Sequence, residues 1–99
     1  MNILNLEKRI VDEIVDIASN FDSIEKVLIF GSRARGDNSL KSDIDLAIYS
    51  QGAISEFIEA IETRTTTLLE FDYSNMNAIT DELFIEQVQK EGIIIYEKH

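Results

Sequence analysis

At 99 residues and 44% hydrophobic content, the chain has enough material for one small domain, 1–99, around a single core. It contains no cysteine, which excludes disulfides and thiolate metal sites. A formal net charge of −10 argues against general nucleic-acid binding, which needs basic surface, and favours a basic partner or bound cations.

The N-terminal MNILNLEKRIVDEI carries acids inside its apolar pattern and lacks a signal-peptide core. No apolar run nears the roughly 18 residues of a membrane span, so no membrane association and a cytoplasmic location are expected. Leu6, Ile10, Ile14, Ile17 and Phe21, joined by Val11 and Ala18, recur at helical spacing and predict an amphipathic first helix capped by Asn5. The unbroken KVLIF of Lys26–Phe30 reads as an interior strand that Gly31 ends. Ser32 then caps a single turn, Arg33–Arg35, which Gly36 stops. Asp43–Tyr49 alternates, with Ile44, Leu46 and Ile48 on one face and Asp43, Asp45, Ala47 and Tyr49 on the other. Helical spacing returns over Ile54–Leu68 through Phe57, Ile58 and Ile61, although a threonine run weakens its C-terminal half. Leu69–Tyr73 alternates again, with Glu70 and Asp72 sharing a face. Thr80, Asp81 and Glu82 open a last helix, whose ridge of Leu83, Phe84 and Val88 is assigned to the core. Gly92 closes that helix, and Ile93–Tyr96 forms a final strand. The order αβ(turn)βαβαβ predicts an α/β or α+β domain with helices against a small sheet.

The chemistry concentrates in IFGSRARGDNSLKSDIDLAIY, Ile29–Tyr49. Residues i and i+2 of a strand share a face with Cα atoms about 6–7 Å apart, so Asp43 and Asp45 can converge on one divalent ion or bridge two. Left unpaired beside a buried face, the two carboxylates would repel each other and resist desolvation. Mg²⁺ removes both problems, because hard carboxylate oxygens are its preferred protein ligands. A third carboxylate is expected from the neighbouring alternating run, as Asp72 or its rival Glu70. Gly31 and Ser32, at a strand end and the start of a turn, present N–H groups and a hydroxyl to an anion. Arg33 and Arg35 on the turn can add charge-assisted bonds to phosphate oxygens. Of nine Lys and Arg residues, Arg33, Arg35 and Lys41 fall between the Gly-Ser and the aspartate pair. Neither a G-x-G-x-x-G nor a P-loop motif occurs. Taken singly, D-x-D reads as a solvated strand edge and Gly-Ser as a turn. Together they indicate phosphoryl or nucleotidyl transfer.

GSRARGDNSLKSDIDLAI resembles the G-S-x(10)-D-x-D signature of the nucleotidyltransferase superfamily that includes DNA polymerase beta and kanamycin nucleotidyltransferase. The basic GSRARG form, the short chain and the ending EQVQKEGIIIYE most resemble its minimal nucleotidyltransferase (MNT) branch. The resemblance implies a nucleotidyltransferase fold, a small mixed β-sheet with helices packed mainly on one face. It implies that Gly31 and Ser32 bind the β and γ phosphates of ATP, with Arg33 assisting, and that Asp43 and Asp45 bind two Mg²⁺ ions. Asp72 matches the third carboxylate, a general base or metal ligand near the acceptor hydroxyl, with Glu70 one alternation away. The implied reaction is attack of an acceptor hydroxyl on the α-phosphate of ATP, releasing pyrophosphate.

Larger relatives hold their acceptor with an additional domain, so the short chain predicts an acceptor recognised through an outside partner. MNT proteins are commonly paired with HEPN-family toxins, α-helical RNases, and act as type VII-like antitoxins by adenylylating a toxin tyrosine. The resemblance therefore implies a HEPN toxin partner in a hetero-oligomer, whose basic surface would suit an acidic enzyme. Two alternatives stand beside it: a non-catalytic antitoxin that neutralises its partner by docking, and a small-molecule adenylyltransferase. His99, the only histidine, is read as a frayed end, and Tyr49, Tyr73 and Tyr96 as packing residues at strand ends.

Overall fold

Residues 4–98 are described by the structure, a computed structural model; His99 and the first three residues of the N-terminal pattern lie outside them. The helical spacing near the N-terminus produces α1 (Lys8–Ser19), which buries Ile10, Ile14, Ile17 and Ala18. Its cap is Glu7, without a side-chain bond, and not Asn5. Asn5 is engaged elsewhere: its N–H donates to the Arg33 carbonyl at 2.9 Å. The first apolar run forms β1 (Ile24–Phe30), and the basic turn forms α2 (Ser32–Arg35). The cap of α2 is Gly31 and Ser32 is its first residue, one position earlier than the sequence suggests. Gly36, at φ 85°, ends the turn in the left-handed region.

The alternating run becomes β2 (Ile44–Ser50), followed by α3 (Ser55–Arg64) and β3 (Phe71–Asn75). Helix α3 stops at Arg64, where the threonine run begins, so Leu68 is fully exposed instead of completing an apolar face. The chain ends in α4 (Glu82–Glu91) and β4 (Ile93–Glu97). Asp81 caps α4 by accepting from the N–H groups of Leu83 and Phe84 at 3.0 and 3.3 Å.

The four strands form one mixed sheet in the order β3-β2-β1-β4. β1 runs antiparallel to both β2 and β4, and β2 runs parallel to β3. Period-two alternation divides the side chains between two faces. Val27, Ile29, Ile44, Leu46 and Ile48 join residues of α1 and α3 in the main core. Leu28 and Ala47 point the other way and pack with Val88 of α4 and Met76 in a smaller cluster. The principal helical layer, α1 and α3, thus lies on one face, as expected, and α4 covers part of the other.

In the main core, Phe57 is 1% exposed and meets Phe21 edge to face, with ring centroids 5.9 Å apart. Phe57→Ala should cost about 3–5 kcal/mol, lost transfer energy plus a cavity, read as a lower denaturant midpoint with unchanged slope. Leu83 stays 79% exposed, so only Val88 and Phe84 of the expected α4 ridge reach the core.

The pairing has one consequence for chemistry. The C-terminal end of β1 and the N-terminal ends of β2 and β3 meet at one end of the sheet, with Phe30 opposite Asp45 and Asp45 opposite Asp72. That end therefore carries both the Gly-Ser turn and the acidic residues.

Candidate active site

Gly31 is under two separate constraints. Its φ of 73° and ψ of −154° fall in a backbone region that is essentially open to glycine alone. A Cβ placed there would also stand 2.3 Å from Oδ2 of Asp45. The glycine thus lets the start of α2 lie directly against the aspartate on β2. Ser32 opens that turn, and its hydroxyl makes no hydrogen bond among the described residues. Its carbonyl accepts from the N–H groups of Gly36 and Asp37 at 2.8 and 3.1 Å, which closes the turn.

Asp45 is half-buried, whereas Asp43, just before β2, and Asp72 on β3 are exposed. Burial, then the charge of Asp72, then that of Asp43, push the Asp45 carboxyl up from its ordinary value, and Arg35 pulls it the other way. Glu70 is not among the charges acting on Asp45; its carbonyl accepts from the Ile44 N–H at 2.9 Å. The two carboxylates left open by the sequence thus differ in placement, with Asp72 in register with Asp45 and Glu70 just ahead of β3.

These oxygen donors are of the type a divalent ion prefers, and their mutual repulsion is what a bound cation would relieve. Among the described residues, however, no three carboxylates already stand close enough together to hold an ion. The residues fit a divalent cation in chemistry and in placement at one end of the sheet, without forming a closed cage.

The two arginines of the turn separate clearly. Arg33 is 5% exposed, and its guanidinium donates to the carbonyls of Ser42 at 3.1 Å, Asn5 at 2.9 Å and Leu40 at 3.3 Å. No carboxylate pairs with it among the described residues. Arg33 thereby ties the residues just before Asp43, and the N-terminal segment, to α2. Arg33→Lys replaces a planar fork that serves three carbonyls with a point charge. It should lower stability by about 2–3 kcal/mol through carbonyls left unpaired, measurable by urea unfolding.

Arg35 is 44% exposed. It pairs with Asp37 at 3.1 Å and with Glu91, in the last turn of α4, at 2.7 Å. Glu91 also accepts from Gln87, whose amide, followed by Arg35, holds the Glu91 carboxyl below the usual glutamate range. Sequence reasoning did not single out Glu91, because 56 residues separate it from Arg35 and only the fold joins them. Lys41 is exposed on the loop between Gly36 and Asp43.

Comparison with known proteins bears on the same residues. The family model "Polymerase beta, Nucleotidyltransferase" matches residues 12–99, a range that includes Gly31, Ser32 and all three aspartates. A Methanocaldococcus jannaschii protein described as a protein adenylyltransferase is 32% identical over 104 residues, covering 94% of this chain and 100% of the relative. A solved toxin–antitoxin structure with AMP-PNP superposes with a TM-score of 0.72 at 18% identity, over 90% of this chain and 74% of that one. A variant of the MntA-HpeT toxin–antitoxin does so with a TM-score of 0.67 at 18% identity, over 95% and 75% of the two chains. These structures share the fold of the sheet and its helices. With the Gly-Ser turn set against a strand aspartate and the family model spanning nearly the whole chain, the protein belongs to the polymerase beta nucleotidyltransferase family.

Proposed function

We propose that this nucleotidyltransferase moves AMP from ATP to a hydroxyl of a partner protein, a tyrosine of a HEPN-family toxin, and so acts as an antitoxin in a hetero-oligomer. The observation that carries the reading is the contact surface between Gly31 and Asp45, with Asp72 in register beside it. This proximity supports a reading in which the turn meets the phosphates of the same nucleotide whose cations the aspartates would hold. The relative described as a protein adenylyltransferase supports a protein acceptor, and the toxin–antitoxin structures of the same fold support a toxin as that protein.

In this reading Gly31 and Ser32 hold the β and γ phosphates through backbone N–H groups and the Ser32 hydroxyl. Asp43 and Asp45 hold two Mg²⁺ ions, with Asp72 completing the set. When bound, these ions supply positive charge at the attacking and leaving oxygens. The acceptor oxygen attacks the α-phosphorus, and the bond from that phosphorus to the oxygen bridging to the β-phosphate breaks. Pyrophosphate leaves against the Ser32 turn. Asp72, in place of Glu70, takes the acceptor proton, since it shares the face and register of Asp45. Arg33 assists the triphosphate indirectly, as a buried positive charge holding the loop that leads to Asp43. Its three carbonyl partners occupy the guanidinium that would otherwise make a direct contact.

A second reading is neutralisation by docking alone. It draws on the exposed Leu40 and Leu83, 92% and 79% accessible, on the loop before β2 and on α4. Cells expressing the toxin separate the two readings. An Asp43→Asn/Asp45→Asn double variant should fail to protect them if transfer is the mechanism, and should still protect them if docking suffices.

A further inference from the structure

We propose that the segment before α1 positions the Asp43 carboxylate for its cation, with Asn5 and Arg33 as the positioning residues. The inference rests on the nucleotidyltransferase reading above and adds to its site a segment far from it in sequence. Asp43 is exposed and precedes the first residue of β2, so the sheet ladder alone does not hold it. Yet the peptide units on both of its sides are pinned. The Ile44 N–H, in the planar unit that carries the Asp43 carbonyl, donates to the Glu70 carbonyl at 2.9 Å. The Ser42 carbonyl, in the unit that carries the Asp43 nitrogen, accepts from Nε of Arg33 at 3.1 Å. A planar unit held at its oxygen sets the direction in which the next Cα leaves it, and so the point from which the Asp43 side chain starts.

The first pin comes from the residue just ahead of β3, and the second depends on what holds Arg33. Asn5 does so with two bonds that run in opposite directions. Its N–H donates to the backbone carbonyl of Arg33 at 2.9 Å, and its own carbonyl accepts from Nη1 of Arg33 at 2.9 Å. One residue's backbone thus grips both the backbone and the side chain of the arginine. Leu4 and Leu6, on either side of Asn5, are partly buried against the main core, so the grip is fastened from both flanks. Nη2 reaches the Leu40 carbonyl at 3.3 Å and steadies the loop further from the aspartate. Arg33 is only 5% exposed, so water cannot easily replace a lost bond. The order of connection is main core, Asn5, Arg33, Ser42, Asp43. Both Asn5 bonds use its backbone, so its N–H matters here and its exposed side chain does not.

Calorimetric binding of the ATP analogue AMP-PNP to the full-length chain, once with Mg²⁺ and once in chelator, tests this without turnover. The ratio of the two affinities reports how well the cations are held. Asn5→Pro deletes the N–H and should lower the ratio by about 2–10-fold, the worth of one net hydrogen bond. Arg33→Lys breaks the fork and should lower it by about 10–100-fold, the range for an outer partner of a metal ligand. Asn5→Ala keeps both backbone bonds and should keep the ratio. Phe57→Leu weakens the main core without touching these bonds and should keep it too. If Asn5→Pro does not fold, an ester in place of the Leu4–Asn5 amide removes the same N–H without the proline ring. An unchanged ratio in the folded chain lacking that N–H overturns the inference. So does an equal fall in Phe57→Leu, which would make the effect one of general stability. Binding by the unaltered protein that is no tighter with Mg²⁺ than in chelator removes the nucleotidyltransferase reading itself, and this inference with it.

Discussion

Asp45→Asn should abolish AMP transfer while making the metal-free protein more stable. The two effects have the same cause. Asp45 is half-buried, sits opposite Asp72 and close to Asp43, and its carboxyl is pushed up by burial and by both neighbours. Without a cation, the negative charge at this position opposes folding; in the proposed mechanism the same charge would hold the cation. Asparagine keeps the shape and removes the charge. Transfer should fall by at least about 100-fold, the upper end of what is lost when even an outer partner of a metal ligand is removed. In chelator-treated buffer at neutral pH, the urea midpoint should rise.

The pH dependence carries a definite sign. A carboxyl raised in the folded state binds its proton more tightly there than in the unfolded chain. Between the ordinary aspartate value and the raised one, the metal-free fold therefore loses stability as pH rises and regains it on acidification. The difference in stability between Asp45→Asn and the unaltered protein should shrink as pH falls through that window. A constant difference would mean that the Asp45 charge is already compensated. Adding Mg²⁺ should stabilise the unaltered protein, by about 2.7 kcal/mol at a hundred times its Kd, and the asparagine variant much less.

Gly31→Ala has the second-largest expected effect, through two separable mechanisms. The backbone at φ 73° and ψ −154° costs about 1–3 kcal/mol for a residue with a side chain. The new methyl would also lie 2.3 Å from Oδ2 of Asp45. That oxygen is the end of a flexible side chain and can rotate away, but rotation takes the carboxylate off the line it shares with the Ser32 turn. The substitution should therefore lower stability by about 1–3 kcal/mol and reduce transfer as severely as Asp45→Asn. In an Asp45→Ala background the collision is absent and only the backbone cost remains. Gly31→Ala should then cost less stability in that background than in the unaltered protein. Full additivity would show that the two residues do not press on each other.

Much of this site can be read from residue order because its parts are local in sequence. Gly31, Ser32 and the two aspartates lie within fifteen residues, on a strand end, a turn and the next strand, and each local pattern points to its own element. The alternation of β2 separates Asp45 from Ile44 and Leu46 without any knowledge of the fold. What the order could not supply are the long-range partners. Asp72 becomes the neighbour of Asp45 only through parallel pairing of β2 with β3 across α3. Glu91 reaches Arg35 only because α4 returns along the sheet face opposite to α1 and α3.

Arg33 shows a different limit. Side-chain type and position suggest a phosphate ligand for Arg33 and Arg35 alike, and burial alone separates them. Arg33 turns inward to three backbone carbonyls that a loop of polar residues would otherwise leave unmet, while Arg35 stays outside with carboxylates. Asn5 illustrates the same point. It has the chemistry of a helix cap, yet its backbone is tied to Arg33, and α1 begins after Glu7 instead.

In the proposed reaction the Gly31–Asp45 corner transfers AMP to a protein hydroxyl. Intact-mass analysis of a HEPN-family toxin after incubation with this protein, ATP and Mg²⁺ tests it most directly. A toxin heavier by one or more adenylyl groups is expected with the unaltered protein, and an unmodified toxin with Asp45→Asn or in chelator. An unmodified toxin in the complete reaction, or equal modification by Asp45→Asn, would contradict it.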